Sequence, residues 1–152
     1  MTASDAQTSL LVQSSEGFSA TEHETCQVLY ADNHWIAAGC GGGKVVIANS
    51  MGETIPPVLV KQLKQLYIHQ MTSDGGLVVD LLQCAQQSNG SDCGFFAVAF
   101  LFEWATAHSL NIQLEVKFRV PAMRAHLVRC LEKGEITASQ RFDLVNAASQ
   151  WV

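Results

Sequence analysis

From Cys26 onward, short apolar runs alternate with polar or glycine-rich breaks, whereas residues 1–25 are rich in Ser, Thr, Glu and Gln. Such a stretch buries too little apolar surface to offset the entropy of ordering it. It is therefore read as a poorly ordered or partial N-terminal segment, with a short element near Leu10–Val12. Gln27–Tyr30 reads as a short strand, and Asp32-Asn33 is a turn signal. His34–Gly39 and Lys44–Ala48 are apolar, β-branched segments joined by Gly39-Cys40-Gly41-Gly42-Gly43, which predicts a hairpin with a glycine loop. Pro56-Pro57 then opens a helix from Val58 to about His69, because proline suits a first helical turn. Leu59, Leu63 and Leu66 fall at helical spacing within it.

Asp74-Gly75-Gly76 is a further turn, Leu77–Leu82 a short strand, and the polar run 86–92 with Asn89-Gly90 a loop. Cys93–His108 is apolar nearly all round, the pattern of a helix buried at the centre of a domain. Another helix is predicted from about Pro121 to Lys133, with Gly134 as its stop signal. A last short helix is predicted within 137–152. There is no internal repeat. The pattern gives one α+β domain over 26–152, a central helix starting at Cys93 packed on a small, mostly antiparallel sheet.

Composition agrees with a folded chain: 152 residues, 48% apolar and 15% charged. The net charge of −5, with no basic stripe, argues against nucleic acid as a partner. No apolar run is long enough to span a bilayer, and residues 1–13 lack the features of a secretory signal. Five cysteines without paired spacing point to thiols in a reducing compartment, hence an intracellular, cytoplasmic or nuclear protein. No cysteine or histidine cluster has metal-site spacing, so neither a metal nor a cofactor is expected.

The chemistry concentrates in Gln87-Ser88-Asn89-Gly90-Ser91-Asp92-Cys93-Gly94. A polar loop delivers a cysteine to the first turn of a buried helix. Unpaired N–H groups and the positive end of the helix dipole favour thiolate over thiol there. Asp92 or Ser91 can cap the helix, and Gly94 lets a substrate backbone approach. A thiolate nucleophile needs a base, and the base an orienting partner. His34 starts one strand of the predicted hairpin, and Asn49 ends the next, close enough to accept an imidazole N–H. Cys–His–Asn is an accepted form of the triad. Gln87, six residues before Cys93, supplies a side-chain amide that with the Cys93 backbone N–H makes a two-donor oxyanion hole. Competing readings stand beside these: Cys93 and Trp35 as core residues, Asn49 as a turn residue, Gln86 in place of Gln87, and Asp80 as a rival third member. Cys26, Cys40, Cys84 and Cys130 read as structural, and His23, His69, His108 and His126 as surface or packing residues.

His34-Trp35, Asn49-Ser50 and Gln87-Ser88-Asn89-Gly90-Ser91-Asp92-Cys93-Gly94, in that order, resemble the ubiquitin-like-protein-specific (SUMO/sentrin-type) cysteine protease family. Its pattern is His-Trp, Asp-Ser, then Gln-x-Asn-Gly-x-Asp-Cys-Gly. The resemblance covers about residues 27–105. Met123-Arg124-x-His126-Leu127 with the following Cys-Leu-Glu is similar to the tail of transposon-associated animal members. The resemblance implies a papain-like fold and cleavage after the C-terminal Gly-Gly of SUMO, ubiquitin or a related modifier, acting on precursors or isopeptide conjugates. It implies Cys93, His34, Asn49 and Gln87 as catalytic residues and Trp35, with Gly94 and Asp92, as substrate-binding residues. Trp35 would wall a tunnel for the modifier tail. The partner would be the modifier and its conjugates, met by a monomer away from nucleic acid and membrane. Asn49 departs from the family's Asp. No second tunnel tryptophan is found in residues 1–25. These departures keep open a weak or inactive modifier-binding module; a cysteine-dependent acetyltransferase is a further alternative, because some relatives with a similar His-acid-Cys arrangement transfer acetyl groups.

Overall fold

The computed structural model describes residues 25–52, 54–110, 114, 117–118, 120–134 and 144–145. Residues 1–24 of the predicted lead-in lie outside them, as does its element near Leu10–Val12, and Thr25 opens the first strand. Three strands run consecutively: β1 (Thr25–Ala31), β2 (His34–Gly41) and β3 (Lys44–Ala48). Both of their connections are two-residue turns. Asp32 and Asn33 take φ of 55° and 59°, and Gly42 and Gly43 take 59° and 77°. Positive φ at both central residues matches the right-handed twist of the flanking strands. The predicted glycine loop therefore shrinks to Gly42-Gly43, because Gly39 to Gly41 continue β2. Gly39 lies close under Leu110: a Cβ there would meet Leu110 Cδ2 at 2.7 Å, so the leucine would have to shift.

The strands pair antiparallel, β1 with β2 and β2 with β3. Helix α1 (Pro57–Leu66) carries the chain across to β4 (Val79–Leu81), which joins β3 in parallel. Pro57 occupies the first helical turn, as predicted, but the helix ends at Leu66 and gives way to a 3-10 turn, Ile68–Gln70. The sheet order is β1-β2-β3-β4. Helix α2 (Cys93–Ala107) and helix α3 (Val120–Lys133) follow, with a two-residue pairing of β5 (Lys117–Phe118) and β6 (Leu144–Val145). Leu144 and Val145 were expected in a terminal helix; they form a strand edge instead, and the rest of that predicted helix lies outside the described residues.

The sheet is covered on both faces. Ala37, Val46 and Ala48 pack with Phe96, Ala97, Phe100 and Trp104 of α2. Ile36, Ala38, Val45 and Ile47 pack with Leu59, Leu63 and Leu66 of α1. Hence β2 and β3 read as continuous apolar runs rather than alternating ones. The aromatics of α2 interlock with Phe118, whose ring meets Phe96 edge-on with centroids 5.6 Å apart. Each such ring is worth about 3–5 kcal/mol on truncation to alanine. This packing fixes the start of α2 over the sheet, near the start of β2.

Candidate active site

The base side is built on the sheet. His34 opens β2 and is 8% exposed. Its Nε2 lies 2.7 Å from Asn49 Oδ1, one residue past the end of β3. The Asn49 amide has a fixed orientation. Its Nδ2 donates to the Thr54 carbonyl at 3.0 Å, and its Oδ1 accepts the Met51 N–H at 3.0 Å. An oxygen therefore faces His34, so Nε2 must carry the proton and Nδ1 the lone pair. Nδ1 is buried and has no hydrogen-bond partner among the described residues, the Cys93 thiol included. An orphaned buried nitrogen in a folded protein calls for an explanation, and a base awaiting a proton is one.

The nucleophile side begins α2. Cys93 is the first helical residue and is 5% exposed. The side chain of Trp35, the residue after His34, lies against Gly94: a Cβ on Gly94 would sit 3.4 Å from Trp35 Cδ1. The two dipeptides His34-Trp35 and Cys93-Gly94 thus adjoin. Trp35 is 37% exposed and stacks on its cross-strand neighbour Tyr30, with centroids 4.6 Å apart. Tyr30 Oη donates to Asn33 Oδ1 at 2.8 Å. Together they form an exposed aromatic surface beside the cysteine.

The loop 86–92 has no ladder of its own, so side chains hold it. Ser50 Oγ donates to Gln87 Oε1 at 2.6 Å, and the Gln87 N–H donates to the Ser50 carbonyl at 2.8 Å. Gln87 Nε2 donates to the Asn89 carbonyl, which leaves its second N–H uncommitted. Gln86 points elsewhere: its Nε2 donates to the carbonyls of Asn49, at 3.0 Å, and Cys84. An open depression of about 400 Å³ is lined by Ser50, Met51 and residues 86–90; Cys93 is not part of its lining.

Asp92 departs from expectation twice. It stands at the N-cap position of α2 but makes no side-chain cap. It is also only 1% exposed, with Oδ1 paired to Arg124 and Oδ2 accepting from Asn89 Nδ2 at 2.7 Å. A carboxylate so enclosed and paired holds the loop. Burial pushes its carboxyl up, but the Arg124 and Asn89 hydrogen bonds outweigh that and keep it below the ordinary carboxylate value. Asp80 sits away from the site on β4, paired with Lys44 at 3.2 Å. His126, expected to lack a placed partner, is buried with Nε2 3.4 Å from Cys130 Sγ. None of the cysteines forms a disulfide. Burial pushes the Cys26 thiol up.

Ser50, Thr54 and Arg124 were missed as site-building residues. Ser50 stands next to Asn49 and was readable. Arg124, 32 residues from Asp92, had no local signal.

The protein-family model described as "Ulp1 protease family, C-terminal catalytic domain" matches residues 30–129. A search of curated proteins finds no match. Among solved structures, the chain is similar to the SUMO protease Ulp1 with its catalytic cysteine oxidized to a sulfenic acid. The identity is 15% and the TM-score 0.55, over 73% of this chain and 53% of that one. The C-terminal Ulp1 protease domain in complex with Smt3, the yeast ortholog of SUMO, matches at 18% identity and a TM-score of 0.41, over 59% and 44%. The chain spans about half the length of these structures. The first of them carries a likeness of fold.

Proposed function

The chain belongs to the Ulp1 protease family, and from that membership we propose that it is a thiol isopeptidase cleaving after the C-terminal Gly-Gly of SUMO or a related ubiquitin-like modifier. In this reading residues 26–152 act as one catalytic domain and a monomer. The observation that supports it is the tautomer of His34. Asn49 Oδ1 holds the proton on Nε2, and Nδ1 keeps a buried, unpartnered lone pair. Its neighbour Trp35 abuts Gly94, next to the thiol.

His34 Nδ1 takes the Cys93 proton, and the thiolate attacks the glycyl carbonyl. The Cys93 N–H and the uncommitted Gln87 N–H receive the oxyanion. His34 returns the proton to the leaving amine, and water, deprotonated by His34, hydrolyses the thioester. Asn49 keeps the imidazolium oriented without adding charge. Trp35 lines the approach of the tail, whose two glycines carry no side chain to obstruct passage beside the ring.

The test is a panel of SUMO and ubiquitin proteins bearing a C-terminal propargyl group. A covalent adduct formed by the wild-type chain and lost in Cys93→Ala is expected. Tight binding without an adduct to any modifier, while iodoacetamide still labels Cys93, would replace the protease reading by that of a modifier-binding module.

A further inference from the structure

The carboxylate one residue ahead of Cys93 is almost fully enclosed, yet its cationic partner is half exposed: Asp92 is 1% and Arg124 49% accessible at the side chain. A buried carboxylate without a partner is costly, so the conformation of residue 92 depends on whatever neutralises it. That partner comes from α3, 32 residues along the chain. The Arg124 guanidinium is also held over the Phe95 ring, 5.5 Å from its centroid, so it is braced against the first turn of α2.

From Asp92 the hydrogen bonds run back along the loop to Gln87 without a break. Asp92 Oδ2 accepts Asn89 Nδ2 at 2.7 Å. Asn89 Oδ1 accepts the N–H groups of Ser91 at 2.9 Å and Asp92 at 3.1 Å, which closes the loop on itself. The Asn89 carbonyl accepts Gln87 Nε2. One face of the Gln87 amide is thus tied to Ser50 and the other, through Asn89 and Asp92, to Arg124.

We propose that Arg124 is a positioning residue for the oxyanion side of the site, fixing the Gln87 amide and the Cys93 N–H through Asp92 and Asn89. It touches no reacting group. The inference rests on the protease reading for its effect on rate, but not for its effect on the loop. Without the guanidinium, Asp92 turns toward water and Asn89 loses its anchor. Gln87 then rotates about the Ser50 bond alone. Lysine delivers a point charge in place of a planar fork and cannot stack in the same way on Phe95.

The test compares full-length wild type, Arg124→Ala and Arg124→Lys by two readouts. In nitrogen-15 NMR spectra, the side-chain amide signals of Gln87 and Asn89 and the Cys93 N–H signal should shift or broaden in both variants. The Trp104 indole and the Ala37 and Ala38 amides should stay in place. In hydrolysis of a SUMO–aminomethylcoumarin substrate, Arg124→Ala should lower kcat about 10- to 100-fold with KM within about threefold. Guanidinium ion at millimolar concentration should restore part of the Arg124→Ala loss, and Arg124→Lys should fall between. Unmoved Gln87 and Asn89 signals in both variants overturn the proposal whatever the rates. So does a displacement of Trp104, Ala37 and Ala38 as large as that of Gln87, which would mark a general loss of packing. If the wild type cleaves no modifier but the Gln87 signal still moves, the positioning stands and the protease reading falls.

Discussion

Replacing Asn49 by alanine removes three hydrogen bonds at once, and the three are not equivalent. Met51 and Thr54 are exposed, so water takes over the Met51 N–H and the Thr54 carbonyl when the amide goes. His34 is 8% exposed, and its Nε2–H is left without a partner. A buried donor stranded in this way costs about 1–3 kcal/mol of stability. For a chain of this size that is a fall in Tm of roughly 2–12 °C. The kinetic effect has a separate origin. In the transition state the ring is an imidazolium, and a hydrogen bond to a charged group is worth about 1.5–3 kcal/mol. At about 1.4 kcal/mol per decade, kcat should fall roughly 10- to 150-fold. KM should hardly change, because Asn49 is enclosed behind the histidine and out of reach of the modifier tail. The assay is steady-state hydrolysis of SUMO–aminomethylcoumarin, with the concentration of folded enzyme set by circular dichroism and a Tm measured alongside. A kcat within threefold of wild type, with the Tm lowered as stated, would refute the reasoning. It would mean that the orientation of His34 is not what the reaction depends on.

Gln87→Ala should lower kcat by about 100- to 1,000-fold if the amide receives the oxyanion; Ser50→Ala, which frees Gln87 Oε1, should lose about tenfold or less under the same assay. Equal losses in the two variants would count against the assignment. Asp92 governs the acid limb of stability. Against the upward push of burial, the Arg124 and Asn89 hydrogen bonds hold its carboxyl below the ordinary carboxylate value, so the pairing stabilises the fold above that value and the stabilisation is lost as pH falls through the lower, folded one. The Tm gap between wild type and Asp92→Asn should therefore be full near neutrality and shrink below about pH 4. A gap that stays constant down to pH 2 would contradict the pairing with Arg124. Trp35→Ala should raise KM about 10- to 100-fold and lower Tm only slightly, since the ring is partly exposed and, in the proposed mechanism, lines the approach of the tail. A loss confined to kcat would place the ring elsewhere in the mechanism.

The parts of the molecule legible in the sequence are those with local causes. Asp32-Asn33 could be read as a turn because few residues other than glycine accept positive φ, and the central helix could be read because nothing polar interrupts Phe95 to Phe102. The hairpin loop was drawn too long because a glycine run looks like a loop. Nothing local reveals that Gly39 lies in a strand, close under Leu110. The second layer was hidden for a related reason. Leu59, Leu63 and Leu66 announce an apolar face, but only the assembled sheet shows that this face covers the side opposite α2. The position of Asp92 before Cys93 suggests a cap, but its side chain makes none. The guanidinium that claims it comes from another helix.

The same contrast explains how rigidity is distributed across the site. His34 and Asn49 stand on or beside strands whose main-chain bonds are shared with neighbours on both sides, so their placement follows from the sheet. Gln87 and the approach to Cys93 lie on a loop outside the sheet, held by one main-chain bond, from the Gln87 N–H to the Ser50 carbonyl, and by four side chains, Ser50, Asn89, Asp92 and Arg124. An oxyanion donor tolerates little displacement, because its effect depends on a preset distance and direction. The family's Gln-x-Asn-Gly-x-Asp-Cys-Gly signature acquires a physical reading here. In the proposed mechanism Gln87 is the donor, and Asn89 is the brace that closes the turn. Asp92 is the anchor that ties the turn to a distant helix, so the polar letters of the motif that do no chemistry hold in place the ones that do.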